Sequence, residues 1–128
     1  MTPEAGRFLE KARHCLDNAR VNLGSGLGDD AGRNAYLAAF HAAQGLIFER
    51  TGKVAKTHHG VHGQFDTLAK GEPAIGAEIR PFLAQAYKLK ALADYETGPG
   101  SEISTERAAA ALEAARRFVD RVAVVLSG

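Results

Sequence analysis

One cysteine and four prolines in 128 residues, with no tryptophan and a single methionine, mark out what this chain cannot be. A lone thiol excludes an internal disulfide and fits a reducing compartment. Cys15 falls between Ala12 and Ala19 in a helical pattern, where it reads as a small buried hydrophobe. Charge of one sign is missing too. Sixteen basic against fifteen acidic residues give a formal charge of +1, so no overall field draws the protein to nucleic acid or to an anionic membrane. Any such contact needs a local patch. No apolar run approaches the length of a membrane span and the N-terminus lacks a signal-peptide core, which points to the cytoplasm. Strand-like alternation, long-period repeats and low-complexity segments are absent. The length suits one domain, residues 1–128, with one sizeable core.

What remains is helical periodicity. Asp29 to Gly52 reads as the central helix, begun by the carboxylate of Asp29 or Asp30 on the free first-turn amides and stopped by a left-handed Gly52. Tyr36, Phe40, Ala43 and Ile47 share one apolar face. Ala31, Ala35, Ala38, Ala42 and Gly45 form a small-residue stripe that admits a second helix closely. Arg33, Leu37 and His41 lie four apart along another side.

The remaining segments are amphipathic. Thr2-Pro3-Glu4 opens a helix with a hydroxyl cap, a harmless proline and an acid at the positive end. Its buried stripe is Phe8, Ala12, Cys15, Leu16, Ala19 and Leu23. The glycines of Gly24–Gly28 form a flexible connector, since a phosphate loop needs a preceding strand. Thr57 caps a short helix burying Val61, Phe65 and Leu68, and Gly60 and Gly63 weaken it, which predicts a short or frayed element, in part a loop. After Glu72-Pro73, the stripe Ile75, Ile79, Phe82, Leu83, Ala86 and Leu89 is interrupted by Pro81, which predicts a separate turn over Ile75–Ile79 and a helix from near Arg80 to Tyr95. Gly98-Pro99-Gly100 ends that helix, and Ser104 caps a last one with Ala108, Leu112, Ala115, Val119, Val122 and Leu126 inward. The fold class expected is all-α: an up-and-down bundle of four main helices plus a short one.

Three ordered pieces carry a resemblance. R-N-A-Y-L-A-A-F-H-A-A resembles the R-A-Y-Y-A-A-F-H-A signature of small stand-alone HEPN domains, with Arg33, Tyr36, Phe40 and His41 in register. Lys56–Gly60 resembles the family's K-T-H-x-G segment, and Ala93–Tyr95 its A-D-Y. Many members of that family are metal-independent ribonucleases with an R-x(4–6)-H motif, in which arginine stabilises phosphate and histidine moves protons. At the matching place here Lys90 stands for the arginine and Tyr95 for the histidine. Lysine meets phosphate as a point charge, and tyrosine, with a pKa of ~10, is a poor proton shuttle at neutral pH. The resemblance further implies dimerisation through helix faces and a minimal nucleotidyltransferase as partner, in a toxin–antitoxin-like pair.

The candidate catalytic residues are therefore His41, Lys90 and Tyr95, and the candidate phosphate or nucleotide contacts Arg33, His41, His58, Lys90, Asp94 and Tyr95. Each has a plainer structural reading. His41 is a hydrogen-bonded structural histidine, Arg33 pairs with an acid such as Asp94, and Lys90 and Asp94 form an i,i+4 surface pair. Tyr95 closes the core edge with its hydroxyl outward. His58 and His62 share a helix face, yet no cysteine or second carboxylate completes a zinc set, so no metal and no cofactor are expected. His58, His59 and His62 lie among Lys53 and Lys56 as a local basic patch. Three functions stay open: a non-catalytic HEPN interaction module partnered with a nucleotidyltransferase and touching RNA or nucleotide, a metal-independent ribonuclease, and a nucleotide-binding helper anchored by Arg33.

Overall fold

A computed structural model describes residues 1–128 as five helices and no strand. They are α1 (Pro3–Gly24), α2 (Gly28–Thr51), α3 (His58–Ala69), α4 (Phe82–Tyr95) and α5 (Thr105–Ser127). The all-α class is as the periodicity predicts; three helices are long, at 22, 24 and 23 residues, and α3 and α4 are short, at 12 and 14.

The centre is α2, which buries residues around most of its circumference, among them Ala35, Tyr36, Ala38, Ala39, Phe40, Ala42, Ala43, Leu46 and Ile47. A helix apolar all round must be enclosed, and α1, α3, α4 and α5 all pack on it. The small-residue stripe sets how closely they approach. A Cβ added at Gly45 would stand 3.3 Å from the Ala5 carbonyl oxygen and 3.3 Å from Phe8 Cβ, so α1 lies against α2 with no room for a larger residue. On the other side Phe65 of α3 and Phe82 of α4 meet Phe118 of α5, with ring centroids 5.1 Å and 6.0 Å apart.

The ends follow local chemistry. Thr2 accepts from the Ala5 amide, Thr57 from Gly60 and Ser104 from Arg107, so three hydroxyl caps work as expected. Gly52 takes φ +72° and closes α2. The start of α2 departs from expectation. Its cap is Leu27, with no side-chain bond, and the helix begins at Gly28. Asp29 instead accepts the Ile103 amide at 2.9 Å and Asp30 accepts Arg33 at 2.8 Å. Asp29 is drawn to a tertiary partner that the local sequence does not announce, and Asp30 to a side chain three residues on.

Other stripes shift by a residue. Phe8 and Leu23 are half-buried while Ala5 and Leu9 fill the core, Leu68 and Leu112 yield burial to Ala69 and Ala111, and of the α4 stripe Leu89 alone is half-buried, with Ala86 buried as expected. The short element is an ordered 12-residue helix rather than a frayed one. Tertiary packing of Val61 and Phe65, both fully buried, outweighs the helix cost of two glycines, about 1 kcal/mol each. Pro81 breaks the chain as expected: turns close at Glu72–Ile75 and Gly76–Arg80, and α4 starts at Phe82.

The connection between α4 and α5 crosses the start of α2. Ile103 is buried with Ala31, Ala93 and Ala108 in a second small core, and its carbonyl lies where a Cβ on Gly28 would have to stand. Gly28→Ala is expected to lower unfolding free energy by about 1–3 kcal/mol, read in urea melts. Gly24→Ala, which meets nothing, should stay within about 0.5 kcal/mol of the parent.

Candidate functional site

The polar residues singled out in the sequence lie on α2, α3 and α4, and the fold joins most of them at one place. Arg33 directs three nitrogens at protein acceptors: Nε to Asp94 at 2.6 Å, one terminal nitrogen to Asp30 at 2.8 Å, the other to the Ala93 carbonyl at 2.9 Å. Asp94 also receives Lys90 Nζ on its second oxygen. One carboxylate thus bridges two cations. The lysine and arginine bonds hold the Asp94 carboxyl below its ordinary range, and Asp94 raises the Arg33 guanidinium in turn. With Asp94's side chain still 21% exposed and Arg33's 36%, the cluster is a partly screened network fixing the end of α4 to the start of α2.

Beside it stands an arrangement that spacing alone did not reveal. Tyr36 of α2 is fully buried, and its hydroxyl meets His58 Nδ1 at 2.6 Å and His62 Nε2 at 3.0 Å. One phenol has one hydrogen, so it donates to one imidazole and accepts N–H from the other. Tyr87 of α4 packs against all three rings, tilted on Tyr36 and His58 and edge-on to His62, at centroid distances of 5.3, 5.1 and 5.4 Å, and Phe40 packs on His58 at 5.1 Å. Burial pushes the Tyr36 hydroxyl well above its ordinary value and both imidazoles below theirs; the Lys90 charge lowers His58 further, and His58 lowers His62. His58 and His62 do share a helix face, and what they share it with is a phenol.

His41 lies apart from this cluster. Its Nδ1 bonds Gln44 Oε1 at 2.8 Å, and Gln44 in turn donates to the Ala55 carbonyl at 2.8 Å, so the ring braces the segment after α2. Burial lowers it also, and Lys11 of α1 adds to that. The structural reading of His41 is the one its contacts match. Tyr95 does not close the core edge: it is 78% exposed, because α4 ends there and the chain turns away. So Arg33, Lys90 and Asp94 are directly joined, His58 lies within reach of the Lys90 charge, and His41 and Tyr95 stand outside. Tyr87, Gln44 and Ile103 were missed. Tyr87, three residues before Lys90 on the same helix face, was the one with a readable signal.

A family model of the HEPN domain matches residues 5–125. The chain belongs to the HEPN domain family. Among curated relatives, the UPF0332 protein glr0978 of Gloeobacter violaceus is 27% identical over 119 residues, 93% of each chain. Among solved structures, TT1696 from Thermus thermophilus superposes with a TM-score of 0.80 at 25% identity, covering 94% of this HEPN chain and 97% of that one. No helix of this HEPN domain is long and apolar enough to cross a membrane.

The phenol–imidazole cluster makes stability depend on pH. Imidazoles whose folded pKa is depressed give a contribution that is complete above the unfolded value of ~6.5 and is lost as pH falls through the folded values. His41, His58 and His62 act in that window. Urea midpoints should therefore fall as pH is lowered from about 7.5 to about 5, and His62→Gln should flatten the slope. Tyr36→Phe removes both bonds and should cost about 1–2 kcal/mol at neutral pH.

Proposed function

We propose that this HEPN domain is a non-catalytic interaction module, the partner of a minimal nucleotidyltransferase in a toxin–antitoxin-like pair. The observation that carries this reading is the condition of Lys90 and Tyr95. They occupy the positions matching the nuclease arginine and histidine, but Lys90 is held by Asp94 and Tyr95 projects into solvent from the last residue of α4. Neither side chain supplies an imidazole, and the nearby guanidinium of Arg33 is already directed at Asp94, Asp30 and the Ala93 carbonyl. A phosphate at Arg33 would have to compete with two carboxylates at 2.6 and 2.8 Å, which also weighs against a nucleotide-binding helper anchored there. Dimerisation and contact with RNA are part of the proposal as the family resemblance implies them.

One observation favours ribonuclease as a second reading. Desolvation and then the Lys90 charge lower the His58 imidazole below its ordinary value, while the residue as a whole keeps an exposed edge. A neutral imidazole next to a cation is a combination that phosphoester cleavage uses.

The two readings part in one assay. Purified protein incubated with single-stranded RNA in EDTA should give no cleavage under the first reading. Cleavage that falls at least tenfold in His58→Gln would establish the second. A tagged copy recovered from extract of the native cell should bring down a nucleotidyltransferase, identified by mass spectrometry.

A further inference from the structure

A groove on the surface has an apolar floor. It runs between α4 and α5, which touch only sparsely. It encloses about 530 Å³ over Phe82, Leu89 and Leu92 of α4 and Ala111 and Ala114 of α5. The alanines on α5 give it depth, because short side chains there leave a channel that leucines would fill. Lys88 and Arg107 line it on the two helices, and no carboxylate does. From Phe82 to Leu92 the floor extends along about three turns of helix, roughly 15 Å, which is the length one face of a docked helix covers in groove recognition.

We propose that the α4–α5 groove receives an amphipathic helix of the partner protein, its apolar stripe on this floor and its flanking carboxylates against Lys88 and Arg107. The proposal rests on the interaction-module reading and says where the partner sits. A second copy of this chain fits less well for two reasons. Its exposed large hydrophobic residues, Met1, Val21, Leu27, Val54, Tyr87, Tyr95 and Val124, are scattered along the chain from its first residue to α5. Placing groove on groove about a two-fold axis would bring the basic groups of one copy towards those of the other, a like-charge juxtaposition that opposes pairing. Carboxylates flanking a helix meet the same cations favourably, and at a rim their effect shows in recognition and in salt dependence.

The test uses the full chain and a defined probe, a fluorescent helical peptide of roughly 20 residues, long enough to hold helix when docked. It carries leucines at i, i+3, i+7 and i+10 flanked by glutamates, and a twin carries lysines in place of the glutamates. The glutamate peptide should bind by anisotropy, weaken as salt rises, and lose at least tenfold in affinity to Lys88→Glu/Arg107→Glu. Ala110→Trp, at an exposed position on the groove wall, should block it to the same degree with the circular dichroism melt unchanged. The lysine peptide should bind the charge-reversed chain better than the parent. Equal binding of the two peptides, or indifference to Ala110→Trp, overturns the proposal. So does a dimer by light scattering that Ala110→Trp dissociates, since the groove would then belong to a second copy. Recovery of the nucleotidyltransferase by Ala110→Trp as efficiently as by the parent removes the groove assignment and leaves the module reading standing. RNA cleavage by the parent, with no nucleotidyltransferase recovered, removes the module reading instead.

Discussion

The close approach of α1 and α2 is the constraint on which the remaining structure depends. Ala5, Ala12 and Ala19 on one helix and Ala35, Ala38 and Ala42 on the other are all fully buried, and Gly45 leaves space only for the backbone of Ala5 and the first carbon of Phe8. With these two helices so near, α2 has its opposite side left for α3, α4 and α5. Those helices bring the larger groups, Phe65, Leu83, Phe118, Val119 and Val122, into one continuous core. A bulky residue in the seam would push α1 outward and open the core along its length, because interiors packed at crystal density do not absorb extra volume.

The same geometry explains why the polar cluster is where it is. The first half of α2 emerges from the seam with Arg33 and Tyr36 turned toward α3 and α4, and both are met by side chains from those helices. Arg33 ties the end of α4 through Asp94 and the Ala93 carbonyl, while Tyr36 ties the first turns of α3 through two imidazoles. These are two different chemistries for one task. The ion network is partly exposed and screened, so its worth is modest. The phenol lies out of water, where an unpaired hydroxyl would cost more than the pair gains. None of the buried side-chain polar atoms is left without a partner.

Much of this is legible in the chain. Capping hydroxyls at Thr2, Thr57 and Ser104, the stop at Gly52 and the break at Pro81 are local effects, decided within four residues of backbone, and the structure bears each of them out. The pairing of Arg33 with Asp94 is legible as a plain charge match. Less legible is the ordering of α3, because two glycines lower its propensity and the packing that overrides them comes from α2 and α5. The first turn of α2 misleads for a related reason. Asp29 is a good cap in isolation, but the Ile103 amide, 74 positions away, takes its carboxylate. Tyr95 misleads in the opposite sense: an aromatic at the end of an apolar stripe reads as core edge, but the buried stripe ends at Ala93 and the helix at Tyr95, which faces water.

The sequence by itself determined the helices, their ends and the all-α class, since capping, periodicity and proline sterics act between neighbours. It also carried the likeness to the HEPN domain family, whose model matches residues 5–125. Tertiary structure alone decided that His58 and His62 close on the Tyr36 hydroxyl, and that His41, through Gln44, braces the segment after α2. It alone left an apolar channel between α4 and α5. Those outcomes depend on which faces of distant helices meet at hydrogen-bond distance, and periodicity fixes the face a residue occupies on its own helix without fixing what stands opposite.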